Sequence, residues 1–328
     1  MESLIVVDEL TRVARQRGLS IFKRPEKKIL LNNVSLEVTA NGWFIILGKN
    51  GSGKSTLLKC LSGILNPTSG TVKVFGLNPW KNRIQVTRRM GILFGQKSML
   101  FPDLRVVDSL RLYQKVYGVC EEQFTEMVNF ADQFLSTNRL LEKHVRRMSF
   151  GERMRCELLS VILHKPQLLI LDEPFVGLDP IAQQGLFEFL NTYQQSYKAT
   201  IVMTTHQFLQ SLEGAEQVLV LDSGHIRYNG VMTDLFMGYA NRKEIKVQFS
   251  ASLPSVMTMP GVTTIKAEGN RYVFDVNTSI TSTKKFLDQL SSQHDVLDLE
   301  VAAISVERMV EELYANPYDS VGQARHTS

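Results

Sequence analysis

Long apolar runs are missing from this chain, although 44% of its 328 residues are hydrophobic. A membrane-spanning helix needs roughly 18 or more consecutive apolar residues, and no run in the sequence approaches that length. No signal-peptide pattern opens the chain either. We therefore expect a protein of the cytosolic side, and its length is typical of roughly two domains.

Cysteine is also scarce, since only Cys60, Cys120 and Cys156 occur. They are unclustered and lack the spacing of metal ligands, which favours buried, reduced thiols in a reducing compartment. No internal repeat or low-complexity tract is present.

Positive and negative charges nearly balance in this chain, and the net charge is only +4. This value is too small to indicate a nucleic-acid partner. Much of the local positive excess lies in one segment, which faces anionic lipid or, as we favour, forms a solvated arm. We therefore treat residues 1–28 as a basic N-terminal segment. Its basic residues are Arg12, Arg15, Arg17, Lys23, Arg24, Lys27 and Lys28.

A glycine-rich loop follows the apolar run 43–47 and leads into Leu57 and Leu58. Its G-x-x-x-x-G-K-S spacing, between a predicted strand and a predicted helix, is typical of a phosphate-binding loop. The glycines let backbone N–H groups face a polyphosphate at the start of the helix. Lys54 would reach the β- and γ-phosphates, and Ser55 would ligate Mg²⁺. The predicted nucleotide-binding residues are Gly48, Asn50, Gly51, Ser52, Gly53, Lys54, Ser55 and Thr56.

Two acidic residues, Asp172 and Glu173, end the apolar run 168–171. Such a run predicts a buried strand of a parallel sheet, which delivers carboxylates to the edge beside the loop. Asp172 is predicted to hold the hydration shell of Mg²⁺, and Glu173 to act as general base on the attacking water. The alternative, a solvated turn before Pro174, fits poorly with so apolar a run.

A Ser-x-Gly turn at 149–151 precedes an apolar-periodic helix, and three further motifs complete a series. Gln96 follows a glycine-bounded run, Asp179 closes a Gly-Leu-Asp triplet, and His206 follows the apolar run 201–205. Over about residues 29–238, the order of these motifs resembles that of ABC-type ATPases.

The resemblance implies a role for each of these positions. Gln96 touches Mg²⁺ or water and senses a membrane subunit, and His206 holds the γ-phosphate. Ser149 and Gly151 close over the γ-phosphate bound by the opposite protomer, while Asp179 links the two sites. The resemblance thus implies an α/β P-loop NTPase core that hydrolyses ATP as a dimer.

Three positions depart from the family pattern, and one of them, Lys49, stands where proline is common, which should be a mild change. Phe150 and Glu152 stand where the usual motif has glycine and glutamine, so the motif lacks one close backbone approach and carries an acid that favours the helix dipole but is unfavourable beside phosphate. We expect activity to be retained but slow. Phe22 is the best candidate for stacking on adenine, since stacking tolerates many aromatic placements, although a packing role is equally compatible with the sequence.

Periodicity divides the chain further. Apolar residues at three- and four-residue spacing in 104–116 and 124–140 predict a helical layer. Near its start, exposed Phe101 and Leu104 would either receive a helix of a partner or pack within the layer. Alternating strands from residue 243 and amphipathic helices near the end predict a small α+β accessory domain. The predicted boundaries are 1–28 for the basic segment, 29–240 for the ATPase domain with its helical subdomain at about 97–160, 243–314 for the accessory domain and 315–328 for a tail.

The accessory domain resembles the C-terminal appendage of ABC-2 exporter ATPases. The resemblance therefore implies an ATPase subunit of an ABC-2 exporter, working as a homodimer or heterodimer at the cytoplasmic side of the cell membrane beneath separate permease subunits. The alternatives are a non-transport ABC ATPase, for example in cofactor assembly, and a weakly hydrolysing regulatory subunit.

Overall fold

The computed structural model describes residues 3–16, 26–95, 98–205, 215–252 and 259–315. Phe22, Gln96, His206 and the predicted tail from residue 316 lie outside these ranges. The chain divides into two compact units, Met1–Gly230 and Val231–Ser328. Within the described ranges, no helix is both long and apolar enough to span a membrane.

The first unit alternates strands and helices. Its described strands are β1 (Ser3–Gln16), β2 (Glu26–Thr39), β3 (Trp43–Leu47), β4 (Ser69–Val74), β5 (Met90–Phe94), β6 (Leu168–Asp172), β7 (Thr200–Thr205), β8 (Gln217–Asp222) and β9 (His225–Val231). Its described helices are α1 (Lys54–Leu61), α2 (Arg83–Thr87), α3 (Val106–Tyr117), α4 (Glu121–Leu135), α5 (Phe150–Ile162) and α6 (Pro180–Tyr197).

The central sheet has the order β5-β6-β7-β3-β8-β9. Strands β5, β6, β7, β3 and β8 pair in parallel. Every residue of β3 and β7 is buried, and β3 is a continuous apolar run rather than an alternating one, as expected for a strand covered on both faces. The register pairs Leu47 with Thr205 and Asp172 with Thr204, so β3, β6 and β7 end together at one edge.

A second sheet has the order β2-β1-β4 and is antiparallel. Strand β1 of this sheet shows that residues 3–16 of the basic segment belong to the sheet rather than to a solvated arm. Ile5, Val7 and Leu10 are buried in the core, and Arg12 donates a hydrogen bond to the carbonyl of Asn66 at 2.9 Å. Apolar residues at alternating positions bury one face of β1 in the sheet. Arg12 and Arg15 lie further along the same strand.

The helical layer consists of α3, α4 and α5. Helix α4 begins at Glu121 and ends at Leu135, earlier than the predicted stretch 124–140. The reason is local, because the next residue, Ser136, has φ 49° and ends the helix in the left-handed conformation.

The second unit contains an antiparallel sheet in the order β11-β12-β10-β13. Its elements are α7 (Met232–Gly238), β10 (Arg242–Phe249), β11 (Val262–Glu268), β12 (Arg271–Asn277), α8 (Thr283–Gln293), β13 (Val296–Ala303) and α9 (Val306–Ala315). Phe249, Phe274 and Phe286 are buried at its centre. Among the described residues, no group of three His, Cys, Asp or Glu side chains could hold a metal ion.

Candidate functional site

The phosphate-binding loop joins β3 to α1, and its backbone adopts a conformation that glycine favours. Gly53 has φ 112° and stands at the N-cap of α1. A Cβ atom added there would lie 2.8 Å from the carbonyl oxygen of Leu30. Glycine is therefore required at position 53 by both its dihedral angle and its neighbour. The other predicted loop residues lie as expected for such a turn, with Gly48 buried, Asn50 and Gly51 exposed at the tip, and Ser55 and Thr56 half-buried in the first turn of α1.

Lys54 is buried inside this loop with its ammonium group directed at the backbone. Its Nζ donates hydrogen bonds to the carbonyl oxygens of Gly48 at 2.6 Å and Lys49 at 3.2 Å. The same Nζ lies 3.5 Å from Oε1 of Glu173. The loop cation and the predicted base are therefore neighbours in space, although 119 positions separate them in the chain.

Ser52 supplies a hydroxyl group to the same loop. Its side chain is buried, and its Oγ has no hydrogen-bond partner among the described residues. A buried hydroxyl without a partner is unusual in native proteins. The Ser52 hydroxyl group could donate a hydrogen bond to a phosphate oxygen.

The two acids lie at the end of β6, beside β7. Asp172 and Glu173 are both half-buried. Thr204 donates a hydrogen bond from Oγ1 to Oδ1 of Asp172 at 2.6 Å, and the same Oγ1 accepts one from the amide of Glu173 at 3.0 Å. Sequence reasoning missed Thr204, because only the pairing of β6 with β7 brings it to the acids.

The Ser-x-Gly turn begins α5 with a capping box. Ser149 Oγ accepts from the amide of Glu152 at 3.2 Å, and Glu152 Oε2 accepts from the amide of Ser149 at 2.9 Å. Lys143 Nζ lies 2.7 Å from the same Oε2. This Lys143 hydrogen bond, followed by that from the Ser149 amide, holds the pKa of the Glu152 carboxyl below its usual value. Glu152 is thus a paired helix cap, which explains how an acid is accommodated there.

Replacing Glu152 tests this assignment. Glu152→Ala removes the cap and the Lys143 partner, and should cost about 1 kcal/mol, or about 2–4 °C in unfolding midpoint. Glu152→Gln keeps an acceptor for the Ser149 amide and should cost less than half as much. Thermal unfolding would measure both, with Glu188→Ala on exposed α6 surface as control. Equal losses for alanine and glutamine would contradict the capping role.

The second departure, Phe150, packs against the Gly-Leu-Asp triplet of the same chain. Gly177 has φ 74°, and a Cβ atom there would lie 3.0 Å from Cε1 of Phe150. A Cβ atom at Gly151 would lie 3.3 Å from Cδ2 of Leu178. Asp179 caps α6, since its Oδ1 accepts from the amide of Ala182 at 2.9 Å. The contacts of Phe150 and Gly151 therefore place Gly177 and Leu178 beside the start of α5.

Glu157 of α5 is a second residue that sequence reasoning missed, and it binds the segment that follows Gln96. Ser98 Oγ donates to Oε1 of Glu157 at 2.6 Å, and the carbonyl of Met99 accepts from the hydroxyl of Tyr113 at 2.5 Å. Glu157 is buried, and this burial raises the pKa of its carboxyl. The helix that begins at the Ser-x-Gly turn thus holds the segment 98–100.

Comparison with known proteins decides the family. The model of the family described as ABC transporter matches residues 31–176. The energy-coupling factor transporter ATP-binding protein EcfA2 of Clostridium perfringens is 28% identical over 219 residues, which are 65% of this chain and 77% of that protein. A protein of Clostridium acetobutylicum named as an ABC transporter ATP-binding protein is 30% identical over 246 residues, 73% of this chain and 84% of the relative. The chain belongs to the ABC transporter ATP-binding family.

As a member of this family, the protein is an ATP-binding ATPase. Its fold is that of known ABC ATPase domains, which confirms the predicted P-loop NTPase class. One such structure, a dimeric post-hydrolysis state of an ATP-binding cassette bound to ADP and phosphate, aligns with a TM-score of 0.61 at 20% identity. It covers 70% of this chain and 98% of the solved one.

Proposed function

We propose that this ABC ATPase hydrolyses ATP with Mg²⁺ as one half of a dimer and thereby drives a membrane transporter. The observation that carries the proposal is the 3.5 Å approach of Lys54 Nζ to Glu173 Oε1 at the edge where β3 and β6 end. A cation for the phosphates and a base for water are then present in one site.

The donor set fits Mg²⁺. Asp172 and Ser55 offer carboxylate and hydroxyl oxygens, which are the hard ligands that Mg²⁺ prefers. A bound Mg²⁺ would neutralise charge that develops on the phosphates. The small number of protein ligands agrees with a metal held mainly by water and phosphate.

The remaining steps belong to side chains of this chain. Lys54 binds the β- and γ-phosphates, the loop amides and Ser52 orient them, and Glu173 takes a proton from the attacking water. Ser149, Gly151 and Asp179 act on the nucleotide of the second protomer, since a single loop leaves one face of the γ-phosphate open. Gln96, His206 and Phe22 lie outside the described residues. By the family resemblance, Gln96 is assigned to contact with Mg²⁺ or water and His206 to γ-phosphate binding, and we assign Phe22 to adenine. The dimeric state of the solved structural neighbour supports this arrangement.

The ATPase domain predicted at 29–240 also includes strand β1, and the accessory domain is proposed at 243–314. Division of the structure at Gly230 and Val231 supports two parts. We assign catalysis to the first and regulation or dimer contact to the second.

The transporter is of one of two classes. An ABC-2 exporter is our proposal from the resemblance of the accessory domain. An energy-coupling factor transporter is the second candidate, because several of the similar proteins, including EcfA2, carry that name. In either case the chain would bind permease subunits at the cytoplasmic face of the membrane, and no observation favours a role outside transport.

Purification from native membranes would test this function. A tagged chain should sediment with membranes and elute with an integral permease, which mass spectrometry would assign to one class or the other. A chain that is recovered only in the soluble fraction, with ATPase activity and no permease, would overturn the transport proposal.

The helical layer offers exposed apolar side chains for such a partner. Phe101 and Leu104 are 42% and 38% exposed, and Leu112 and Val116 of α3 are exposed as well. We therefore propose that Phe101 and Leu104 contact the permease.

The double variant Phe101→Ser and Leu104→Ser should keep the ATPase activity of the isolated protein within about twofold, because surface substitutions seldom change the free energy of unfolding by more than about 0.5 kcal/mol. Recovery with membranes should fall severalfold. The measurement is the membrane-bound fraction per folded protein, with Ile181→Ser, 86% exposed on α6, as control. A parallel loss of unfolding midpoint and ATPase, with normal membrane recovery, would show that both side chains are core.

A further inference from the structure

Thr204 lies beside the two acids, near the end of strand β7. Strand β7 lies between β3 and β6 in the sheet. Thr204 pairs with Asp172 in the register of β6 and β7. Its side chain is fully buried. A threonine in this place contacts both acids without solvent between them.

The hydrogen bonds fix the direction of the hydroxyl group. The amide of Glu173 is a donor, so Oγ1 of Thr204 must accept from it at 3.0 Å. The single hydroxyl proton is then left for Oδ1 of Asp172 at 2.6 Å. One side chain thereby orients the carboxylate of Asp172 and holds the backbone of Glu173.

The backbone of Glu173 needs such a restraint. Its φ is 54°, a conformation that residues other than glycine adopt rarely and at a cost of order 1 kcal/mol or more. Its amide bonds both the hydroxyl and the carbonyl oxygen of Thr204, the latter at 3.2 Å. Without the hydroxyl group, the Glu173 amide keeps only its hydrogen bond to the carbonyl oxygen of Thr204. Glu173 can then turn away from Lys54.

We propose that Thr204 is a positioning residue, whose hydroxyl group sets the orientation of the Asp172 carboxylate toward Mg²⁺ and of Glu173 toward the attacking water. The inference rests on the proposed function, because it takes the roles of Asp172 and Glu173 from there. Thr204 itself touches neither the nucleotide nor the reacting atoms in this assignment.

The chain contains a matched control on the same strand. Thr200, at the opposite end of β7, is also buried, and its Oγ1 accepts a hydrogen bond from the amide of Asn41 at 2.9 Å. Thr200→Val and Thr204→Val remove the same group from equally buried positions and should lower the unfolding midpoint similarly. They differ in that Thr200 lies away from both acids.

The experiment compares Thr204→Val, Thr204→Ser and Thr200→Val in the full chain. Binding of a trinitrophenyl-labelled ATP would be titrated by fluorescence at increasing Mg²⁺, and kcat and KM would be measured separately. Thr204→Val should lower kcat about tenfold or more and raise the Mg²⁺ concentration for half-maximal binding severalfold, as expected for a hydrogen bond to a charged group. Metal-free nucleotide binding should be unchanged. Thr204→Ser should restore both values to within about threefold, since serine keeps the hydroxyl group.

Two outcomes overturn the inference: Thr204→Val that matches Thr200→Val in kcat and Mg²⁺ dependence, or Thr204→Ser that is as impaired as Thr204→Val. If valine at position 204 prevents folding, Thr204→Ala is compared with Thr200→Ala by the same criteria. Failure of the proposed function is separate, because it would appear as wild-type activity in Lys54→Ala and Glu173→Gln. Loss of activity in those two variants, with a normal Thr204→Val, would reject only the positioning role.

Discussion

Lys54→Ala is expected to abolish tight ATP binding, with an affinity loss of about 100-fold or more, because a buried cation opposite the phosphates is removed. Lys54 is 4% exposed, and its ammonium group already points into the loop, where it bonds Gly48. No flexible lysine elsewhere in the first turn of α1 can replace it. The measurement is equilibrium titration with labelled ATP, with and without Mg²⁺.

Lys59→Ala is the matched control for this variant. Lys59 lies on the same helix, in its last turn rather than its first, and is half-buried. Its replacement should leave ATP affinity within about twofold, as for a residue away from the site. Wild-type affinity in folded Lys54→Ala would refute the assignment of the loop.

Glu173→Gln should stop turnover while ATP stays bound. Glutamine has nearly the shape of glutamate but cannot accept a proton from water, so a decrease of about 10²–10⁴-fold is expected for a lost general base. Glutamine also ends the ion pair with Lys54 and leaves this lysine available to phosphate. The variant should therefore accumulate as an ATP-bound dimer, which size-exclusion chromatography with ATP and Mg²⁺ would detect.

Glu188→Gln is the control for this variant, because Glu188 is exposed on α6 and its carboxylate accepts only from Gln184 among the described hydrogen bonds. It should remain monomeric or dimeric in the same proportion as the wild type and keep its activity. Undiminished phosphate release from Glu173→Gln would exclude Glu173 as the base. A variant that is inactive but strictly monomeric with ATP would instead count against dimer closure.

Local sequence was enough to predict the loop and the acidic strand end. The loop depends on backbone freedom at positions such as Gly53 and on a lysine at the start of a helix, and both are properties of adjacent residues. The run 168–171 predicted a buried strand because strands of a parallel sheet are covered on both faces and are typically uniformly apolar. The motifs of the site could not predict the transporter class, because ATPases with different partners share them.

Local sequence misled where a distant partner decides the structure. The basic residues near Arg12 suggested a solvated arm, whereas pairing with β2 and β4 makes residues 3–16 a strand. For Glu152 the sequence indicated an acid that favours the first turn of α5, and the structure adds Lys143 and the Ser149 amide as partners of its carboxylate.

The sequence by itself determined that a glycine-rich loop carries Lys54 at the start of a helix and that Asp172 and Glu173 follow an apolar strand. These features follow from neighbouring residues, whose backbone conformation and hydrophobicity are fixed within a few positions. The sequence also predicted that the acids reach the sheet edge beside the loop, but only the tertiary structure set the 3.5 Å approach of Glu173 to Lys54 and the hydrogen bonds of Thr204 with both acids. The order of β6, β7 and β3 in the sheet creates these contacts, and that order depends on long-range strand pairing, which no short stretch of sequence encodes.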